Sequence, residues 1–185
     1  MSSGTGRVVL LNGPPSSGKT SLAQSFVAQS LHPWFHRNLD DFRRGYADRY
    51  WRDDDGRLFA AVAEGYLGAL RSLALAGVDL IAETVITPER VDAYAAAFDD
   101  IRLLLVAVRC PIEVARRREA ARADRLRGPI DLPDAAFESV YTAVRYDLQL
   151  DSREPLESVV RTLAERATAP FDLGLSRLRP SSSAW

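Results

Sequence analysis

The sequence predicts an α/β fold of three layers, with a mainly parallel five-stranded sheet and helices on both of its faces. Short apolar segments alternate with alanine-rich amphipathic segments along the chain, which is the pattern of strands joined by crossover helices. The segment 101–108 is almost wholly apolar, as is typical of a central parallel strand covered on both faces. A chain of 185 residues without an internal repeat has the length of one domain.

The predicted strands are short apolar runs with turn residues at their ends. Arg7–Leu11 is closed by Asn12 and Gly13, and a second strand is expected to end just before the polar segment Asn38–Phe42. The remaining strands are expected over Val78–Ala82, Ile101–Val108 and Tyr146–Leu150.

The predicted helices lie between these strands. Thr20–Leu31 carries Leu22, Phe26 and Val27 at helical spacing. The other helices are expected over Arg57–Ala76, Pro88–Phe98, Cys110–Leu126, Asp134–Val144 and Pro155–Arg166. We therefore expect one domain over residues 1–166 and a loop-like tail over residues 167–185.

The composition limits the classes of protein that fit the chain. A hydrophobic fraction of 46% and a charged fraction of 26% are ordinary for a soluble protein. The net charge of −1 argues against general binding to nucleic acid or to an anionic membrane. No apolar run approaches the roughly 18 residues of a transmembrane helix, and a single cysteine, Cys110, fits a reducing compartment. These features predict a soluble, cytoplasmic protein.

Between the first strand and the first helix lies the complete phosphate-binding motif G-x-x-x-x-G-K-[ST]. It comprises Gly13, Pro14, Pro15, Ser16, Ser17, Gly18, Lys19 and Thr20, and Ser21 follows it. The glycines let the backbone approach a phosphate closely, and N–H groups at a helix N-terminus favour an anion. Lys19, the only lysine of the chain, supplies a compact charge for the β- and γ-phosphates, and Thr20 offers a hydroxyl to Mg²⁺. The motif predicts binding of ATP and Mg²⁺.

The rest of the sequence narrows the kind of phosphate-loop protein. A guanine-specific GTPase reads its base with an N-K-x-D segment, which a chain with one lysine cannot contain in addition to this motif. The length disfavours a large motor ATPase, so the prediction is a P-loop kinase-like fold. Such an enzyme needs a base for the acceptor hydroxyl, an acid that organises the metal, and positive charge over the transferred phosphoryl group.

Acidic residues at predicted strand ends are candidates for the base and for the metal-organising acid. Asp40 follows the second strand and is expected to be the general base, with Asp41 starting the next helix. A helix N-cap is the alternative interpretation. Glu83 follows the third strand, where an acid organises Mg²⁺ or its water shell. The sequence also allows Glu83 to be the base if Asp40 is not, or to be a surface acid, and leaves these roles open.

A cluster of arginines in the segment 115–127 is the candidate for the positive charge. Arg118, Arg122 and Arg125 fall at i, i+4 and i+7 on one helical face, and like charges at this spacing are unfavourable unless an anion meets them. We therefore expect an Arg-rich helical lid over the triphosphate. The alternative is a solvated helix face neutralised by Glu113, Glu119 and Asp124.

Several further motifs accompany these residues. They are Leu10-Leu11-Asn12-Gly13, Trp34, Val108-Arg109-Cys110, Arg118-Glu119-x-x-Arg122-x-Asp124-Arg125 and Tyr146-Asp147-Leu148-x-x-Asp151-Ser152. With them the chain resembles, from Val8 to about Arg166, the chloramphenicol phosphotransferase family of antibiotic-modifying small kinases. The resemblance implies ATP-dependent phosphorylation of a hydroxyl group on a small molecule, here an antibiotic or a related natural product.

The resemblance also implies roles for individual residues. Asp40 matches the family's catalytic base, while Lys19 and Thr20 match its nucleotide and magnesium contacts. Arg122 and Arg125 match the lid arginines over the phosphates. The last matching pair, Asp151 and Ser152, corresponds to a segment near the adenine.

One region, residues 40–58, departs from the family by being shorter and more charged than the family's chloramphenicol-binding stretch. This segment is expected to line the acceptor pocket. Tyr46, Tyr50 and Trp51 are candidates for stacking against a planar or apolar acceptor, and Asp40 and Glu83 are expected beside it. Residues 53–55, all aspartates, either attract an amine on the acceptor or form a solvated loop.

Two other functions fit the same motifs. One is a kinase of a central metabolite, such as a sugar acid or a shikimate-like compound. The other is a nucleotide-responsive binding module without acceptor chemistry, in which a lid that orders on ATP controls a partner. The sequence leaves the oligomeric state open.

Overall fold

The computed structural model of the chain describes residues 4–47, 49–52, 56–121 and 134–173. Within them the strands are β1 (Arg7–Asn12), β2 (Phe35–Arg37), β3 (Leu80–Thr84), β4 (Arg102–Arg109), β5 (Leu148–Asp151) and β6 (Asp172–Leu173). The helices are α1 (Lys19–Gln29), α2 (Leu39–Arg43), α3 (Arg49–Arg52), α4 (Arg57–Leu75), α5 (Val91–Phe98), α6 (Ile112–Ala120), α7 (Asp134–Thr142) and α8 (Leu156–Thr168).

The sheet has β1 at its centre. Its parallel strands follow the order β2-β3-β1-β4-β5, and β6 pairs antiparallel with the beginning of β4. Val8 of β1 lies opposite Leu80 of β3 on one side and Leu103 of β4 on the other. The carboxyl ends of β2, β3, β1 and β4 therefore meet at one edge, where α/β proteins bind their ligands.

Helices cover both faces of the sheet, because side chains alternate along each strand. Val8 and Leu10 point toward the cluster that contains α4 and α5, whereas Val9 and Leu11 point toward α1 and α8. Each of these four side chains is fully buried. The prediction of a three-layer fold with a mainly parallel five-stranded sheet is confirmed.

Some predicted boundaries were wrong. β3 lies two residues later than expected, so Glu83 stands inside the strand rather than after it. α8 continues to Thr168, and β6 lies within the segment that was expected to be a loop-like tail. Residues 174–185 lie outside the described part of the chain, and the division at residue 166 stays a prediction.

The helix α4 is long and apolar enough to cross a membrane, judged by length and composition alone. One face of it is committed to the core, since Tyr66, Leu67, Leu70 and Ala74 are buried against the sheet. α4 therefore belongs to the layer that covers the α4–α5 face of the sheet.

Candidate active site

The phosphate loop joins β1 to α1 at the carboxyl edge of the sheet. Ser16 and Gly18 have φ angles of 58° and 101°, in the left-handed region, which turns the backbone sharply before the helix. A Cβ at Gly13 would lie 2.7 Å from the Val108 carbonyl oxygen and 2.8 Å from Ser17 Oγ. This close approach explains why the first position of the loop is glycine.

Lys19 lies inside the loop, with only 8% of its surface exposed. Its Nζ atom donates hydrogen bonds to the carbonyl oxygens of Gly13 at 2.7 Å and Pro14 at 2.8 Å. The loop thus surrounds an ammonium group at the start of a helix, whose N–H groups and dipole favour an anion. This arrangement supports the predicted phosphate site.

Ser17 adds a further indication that the loop suits a phosphate. Its side chain is fully buried, and its Oγ atom has no hydrogen-bond partner among the described residues. A buried hydroxyl without a partner is unfavourable by about 1–3 kcal/mol. The loop therefore holds a polar group that a bound phosphate oxygen would satisfy.

Thr20 and Glu83 meet beside the loop, as the prediction of a metal site requires. Thr20 Oγ1 donates a hydrogen bond to Glu83 Oε2 at 2.7 Å. A hydroxyl next to a carboxylate offers the oxygen ligands that Mg²⁺ prefers, and Mg²⁺ takes its other ligands from water and nucleotide phosphates. Among the described residues, no cluster of three or more His, Cys, Asp and Glu side chains forms a metal cage. The residues present fit Mg²⁺ bound together with a nucleotide.

Glu83 also contacts His36, a residue that the sequence analysis did not select. His36 Nε2 lies 2.7 Å from Glu83 Oε1. The side chains of His36 and Glu83 are 17% and 7% exposed. The two residues are 47 positions apart, so only the pairing of β2 with β3 brings them together.

A buried tyrosine holds the ends of the two strands that carry this pair. The Tyr66 hydroxyl donates to the backbone oxygen of Glu83 at 2.9 Å, and it also lies 3.2 Å from the backbone oxygen of Arg37. Burial is the main cause that raises the pKa of Tyr66 well above its usual value. The phenol therefore keeps its proton and remains a hydrogen-bond donor.

Asp40 lies in the first turn of α2, directly after β2. The N-cap is Asn38, which forms a capping box with Asp41, the third residue of the helix. The alternative interpretation of Asp40 as the N-cap is therefore wrong, and so is the expectation that the helix starts at Asp41. The Asp40 side chain is 41% exposed, and its Oδ1 atom accepts a hydrogen bond from Arg43 Nη1 at 2.8 Å. Asp40 thus presents a solvent-accessible carboxylate at the carboxyl edge of the sheet.

Arg118 connects the phosphate loop with the end of β5. Its guanidinium donates to Ser152 Oγ at 3.1 Å, to the Ser152 carbonyl oxygen at 2.9 Å and to the Ser17 carbonyl oxygen at 3.4 Å. The neighbouring Glu119 accepts a hydrogen bond from Ser16 Oγ. The structure therefore brings Arg118 and Ser152 to the loop. Asp151 forms an ion pair with Arg153 nearby.

The other predicted lid residues cannot be placed. α6 ends at Ala120, with Ala121 as its C-cap. Arg122 and Arg125 lie outside the described residues, so the lid arginines over the phosphates stay a prediction. The same holds for residues 53–55 of the predicted acceptor segment.

The aromatic residues of the acceptor segment fall into two groups. Tyr46 and Tyr50 are 45% and 53% exposed, as stacking against a ligand requires. Trp51 is 1% exposed, packs edge-on against Tyr46 and donates to the Arg43 carbonyl oxygen. The expectation that Trp51 stacks against an acceptor does not fit this burial, because the indole is packed inside the segment.

The fold defines the class of protein, since it is the fold of P-loop kinases. A sugar kinase from Janibacter sp. HTCC2649 has a similar structure, with a TM-score of 0.64, 20% identity and coverage of 89% of this chain and 96% of that chain. The shikimate kinase of Aquifex aeolicus vf5 has a TM-score of 0.59, 17% identity and coverage of 87% and 96%. These likenesses show the shared fold.

The family follows from the sequence over nearly the whole chain. Residues 6–167 match the family described as chloramphenicol phosphotransferase-like protein, and the chain belongs to this family. Two proteins of Mycobacterium tuberculosis, from strains CDC 1551 and H37Rv, are each 29% identical over 201 residues, covering 94% of this chain and 88% of the relative. Both bear the name "Putative O-phosphotransferase". The predicted resemblance is confirmed, and the chain is an ATP-dependent phosphotransferase.

Proposed function

We propose that the protein uses ATP and Mg²⁺ to phosphorylate a hydroxyl group of an antibiotic or a related natural product. The observation that carries this proposal is the arrangement at the carboxyl edge of the sheet. There the chain places an ammonium-containing phosphate loop, the Thr20–Glu83 pair and the exposed carboxylate of Asp40. These are the parts that phosphoryl transfer to a hydroxyl needs: a phosphate site, a metal-organising acid and a base.

The nucleotide side of the proposed reaction rests on the loop and its neighbours. Lys19 holds the β- and γ-phosphates together with the backbone N–H groups of the loop. Thr20 and Glu83 hold Mg²⁺, which neutralises phosphate charge when it is bound with the nucleotide. Arg118 and Ser152 border the nucleotide on the β5 side, since their contacts close that side of the loop.

The acceptor side rests on Asp40 and on the segment that follows it. The carboxylate of Asp40 accepts the proton of the acceptor hydroxyl as its oxygen bonds to the γ-phosphorus, and ADP departs with the electrons of the broken P–O bond. Arg43 fixes one oxygen of this carboxylate. The exposed rings of Tyr46 and Tyr50 offer apolar surface to a planar acceptor, and the Arg49 guanidinium already lies 4.7 Å from the centroid of the Tyr50 ring.

The ion pair between Asp40 and Arg43 favours a second candidate function, a kinase of a sugar acid or a shikimate-like metabolite. The Arg43 side chain is only 10% exposed. Its positive charge beside the proposed base suits an acceptor that carries a carboxylate. The aromatic side chains of the same segment favour the first proposal, because they suit an acceptor that is less polar than a metabolite acid.

The proposal extends to the setting of the enzyme. It acts on a small molecule rather than on nucleic acid or a membrane, in agreement with a net charge of −1. One cysteine suits a reducing compartment, so we place the enzyme in the cytoplasm. Its product is a phosphorylated antibiotic, and the phosphorylation serves resistance or self-protection.

The test is incubation of the full chain with γ-labelled ATP, Mg²⁺ and a panel of hydroxylated antibiotics and hydroxylated metabolite acids. We expect label on at least one antibiotic and none when EDTA is present. Label on metabolite acids alone would establish the second candidate instead. Tight ATP binding without transfer to any member of the panel would favour a nucleotide-responsive binding module and contradict the proposal.

A further inference from the structure

His36 stands at the proposed metal site without an assigned role. It is one of two histidines in the chain. Its imidazole lies on the edge strand β2 and is largely buried, with Nε2 2.7 Å from Glu83 Oε1. A carboxylate only accepts hydrogen bonds, so Nε2 carries the hydrogen and donates it to Glu83.

The register of β2 on β3 places the His36 side chain next to Glu83. His36 lies opposite Ile81, and Glu83 follows Ile81 by two residues, so all three side chains share one face. Ile81 packs in the cluster that α1 covers. Thr20 stands in the first turn of α1, so the same face brings Thr20 to Glu83.

Both carboxylate oxygens of Glu83 are therefore occupied by different elements. Oε2 accepts from Thr20 on α1, and Oε1 accepts from His36 on β2. The Glu83 carbonyl oxygen accepts from Tyr66, which fixes the backbone as well. Without His36, Oε1 of a side chain that is 7% exposed would lose its partner, and the carboxylate would be free to turn away from Thr20.

We propose that His36 is a positioning residue that holds the Glu83 carboxylate in the orientation needed to bind Mg²⁺ together with the nucleotide. This inference rests on the proposed function. His36 does not touch the metal, and it acts through Glu83. Groups that orient a ligating carboxylate typically change metal affinity or activity by about 10- to 100-fold when they are removed.

The test compares nucleotide affinity with and without Mg²⁺, using a fluorescent ADP analogue, and adds a Mn²⁺ titration by electron paramagnetic resonance. In EDTA we expect His36→Ala to bind the analogue within about twofold of wild type. Mg²⁺ should raise the affinity of His36→Ala for the analogue by about 10-fold less, or more than 10-fold less, than it raises the affinity of wild type. The variant should also bind Mn²⁺ correspondingly more weakly. His36→Gln keeps a donor at a similar reach and should recover most of the loss.

The other histidine provides a matched control. His32 also bonds to a carboxylate, with Nε2 2.5 Å from Asp79 Oδ2, but Asp79 precedes β3 at the opposite edge of the sheet. His32→Ala should therefore leave the response to Mg²⁺ unchanged. Thermal unfolding of each variant shows whether its fold is intact. If His36→Ala does not fold, His36→Leu, which fills much of the imidazole's volume without a hydrogen-bond donor, takes its place in the same measurements and is expected to show the same loss.

Two results would overturn the inference while the proposed function stands. One is a wild-type response to Mg²⁺ in His36→Ala when Glu83→Gln has lost it. The other is an equal loss of affinity with and without Mg²⁺ in His36→Ala, which would place the effect in the fold. If the wild-type protein transferred phosphate with no dependence on Mg²⁺, the result would instead contradict the role of Mg²⁺ in the proposed function. This inference would then fail as well.

Discussion

Asp40→Asn separates the proposed base from the other acids at the site. The amide has the shape of the carboxylate but accepts no proton, so the step in which the acceptor hydroxyl is deprotonated loses its base. The amide oxygen can still accept the hydrogen bond from Arg43 that the carboxylate accepts at 2.8 Å. The substitution therefore removes one chemical function and little of the local structure.

The magnitudes of the two effects differ enough to be told apart. Loss of a general base lowers kcat by about 100-fold or more, which corresponds to roughly 2.7 kcal/mol in the activation free energy. The effect on folding should be smaller, because the Asp40 side of the pair is 41% exposed and the amide oxygen can keep the hydrogen bond to the buried Arg43. Among the described residues, the Asp40 carboxylate bonds to Arg43 and forms no hydrogen bond with the phosphate loop, so ATP affinity should stay within about twofold.

The assay measures kcat for phosphoryl transfer, ATP affinity by titration, and the free energy of unfolding in urea, for wild type, Asp40→Asn and Glu83→Gln. We expect Asp40→Asn to lose turnover and keep ATP affinity, and Glu83→Gln to lose the response to Mg²⁺. Full activity of Asp40→Asn beside an inactive Glu83→Gln that still binds metal would show that Glu83 is the base.

Three further predictions concern the loop, the lid side and the opposite edge of the sheet. Gly13→Ala should destabilise the fold by about 1–3 kcal/mol and weaken nucleotide binding, because its Cβ would lie 2.7 Å from a backbone oxygen. Gly68→Ala is the control, since a Cβ at Gly68 would have open space around it. Urea unfolding measures the stability of both variants. Arg118→Ala should weaken ATP binding and transfer together, in titration and turnover, since it loses its bonds to Ser152. Burial alone would raise the pKa of Asp79, but hydrogen bonds from Arg7 and His32 hold that pKa below its usual value. The stabilising contribution is thus complete above pH of about 4 and is lost as the pH falls through the lower native pKa, so the free energy of unfolding should fall more steeply in wild type than in Asp79→Asn over this acidic range.

The central strands and the phosphate loop were predictable because their signals are local. β1 and β4 are continuous apolar runs, and the loop is a contiguous motif in which Lys19 is the only lysine. β6 was missed because two residues carry no periodicity, and its pairing with β4 depends on the turn after α8. β3 was misplaced because Val78 is apolar and was counted into the strand, whereas the ladder with β1 begins only at Leu80 and continues to Thr84.

The residues that orient the site were harder to predict because their contacts join distant parts of the chain. His36 reaches Glu83 only through the register of β2 on β3. Arg43 reaches Asp40 through one turn of α2, and this spacing of three residues is a signal that the sequence did contain. Trp51 has a large aromatic side chain of the kind that stacks against ligands. Its burial against Tyr46 and Arg43 arises only when the segment folds, so the sequence did not reveal it.

Lys19→Met tests the central claim most directly, because the ammonium group lies inside the loop and donates to its carbonyl oxygens at 2.7 and 2.8 Å. The measurement is transfer of label from γ-labelled ATP to the acceptor panel by wild type, Lys19→Met and Lys19→Arg. We expect transfer by wild type, none by Lys19→Met, and a strongly reduced rate for Lys19→Arg, since a planar guanidinium does not replace the compact charge. Near-normal turnover by Lys19→Met, with its fold intact by thermal unfolding, would contradict the assignment of this chain as a phosphate-loop kinase.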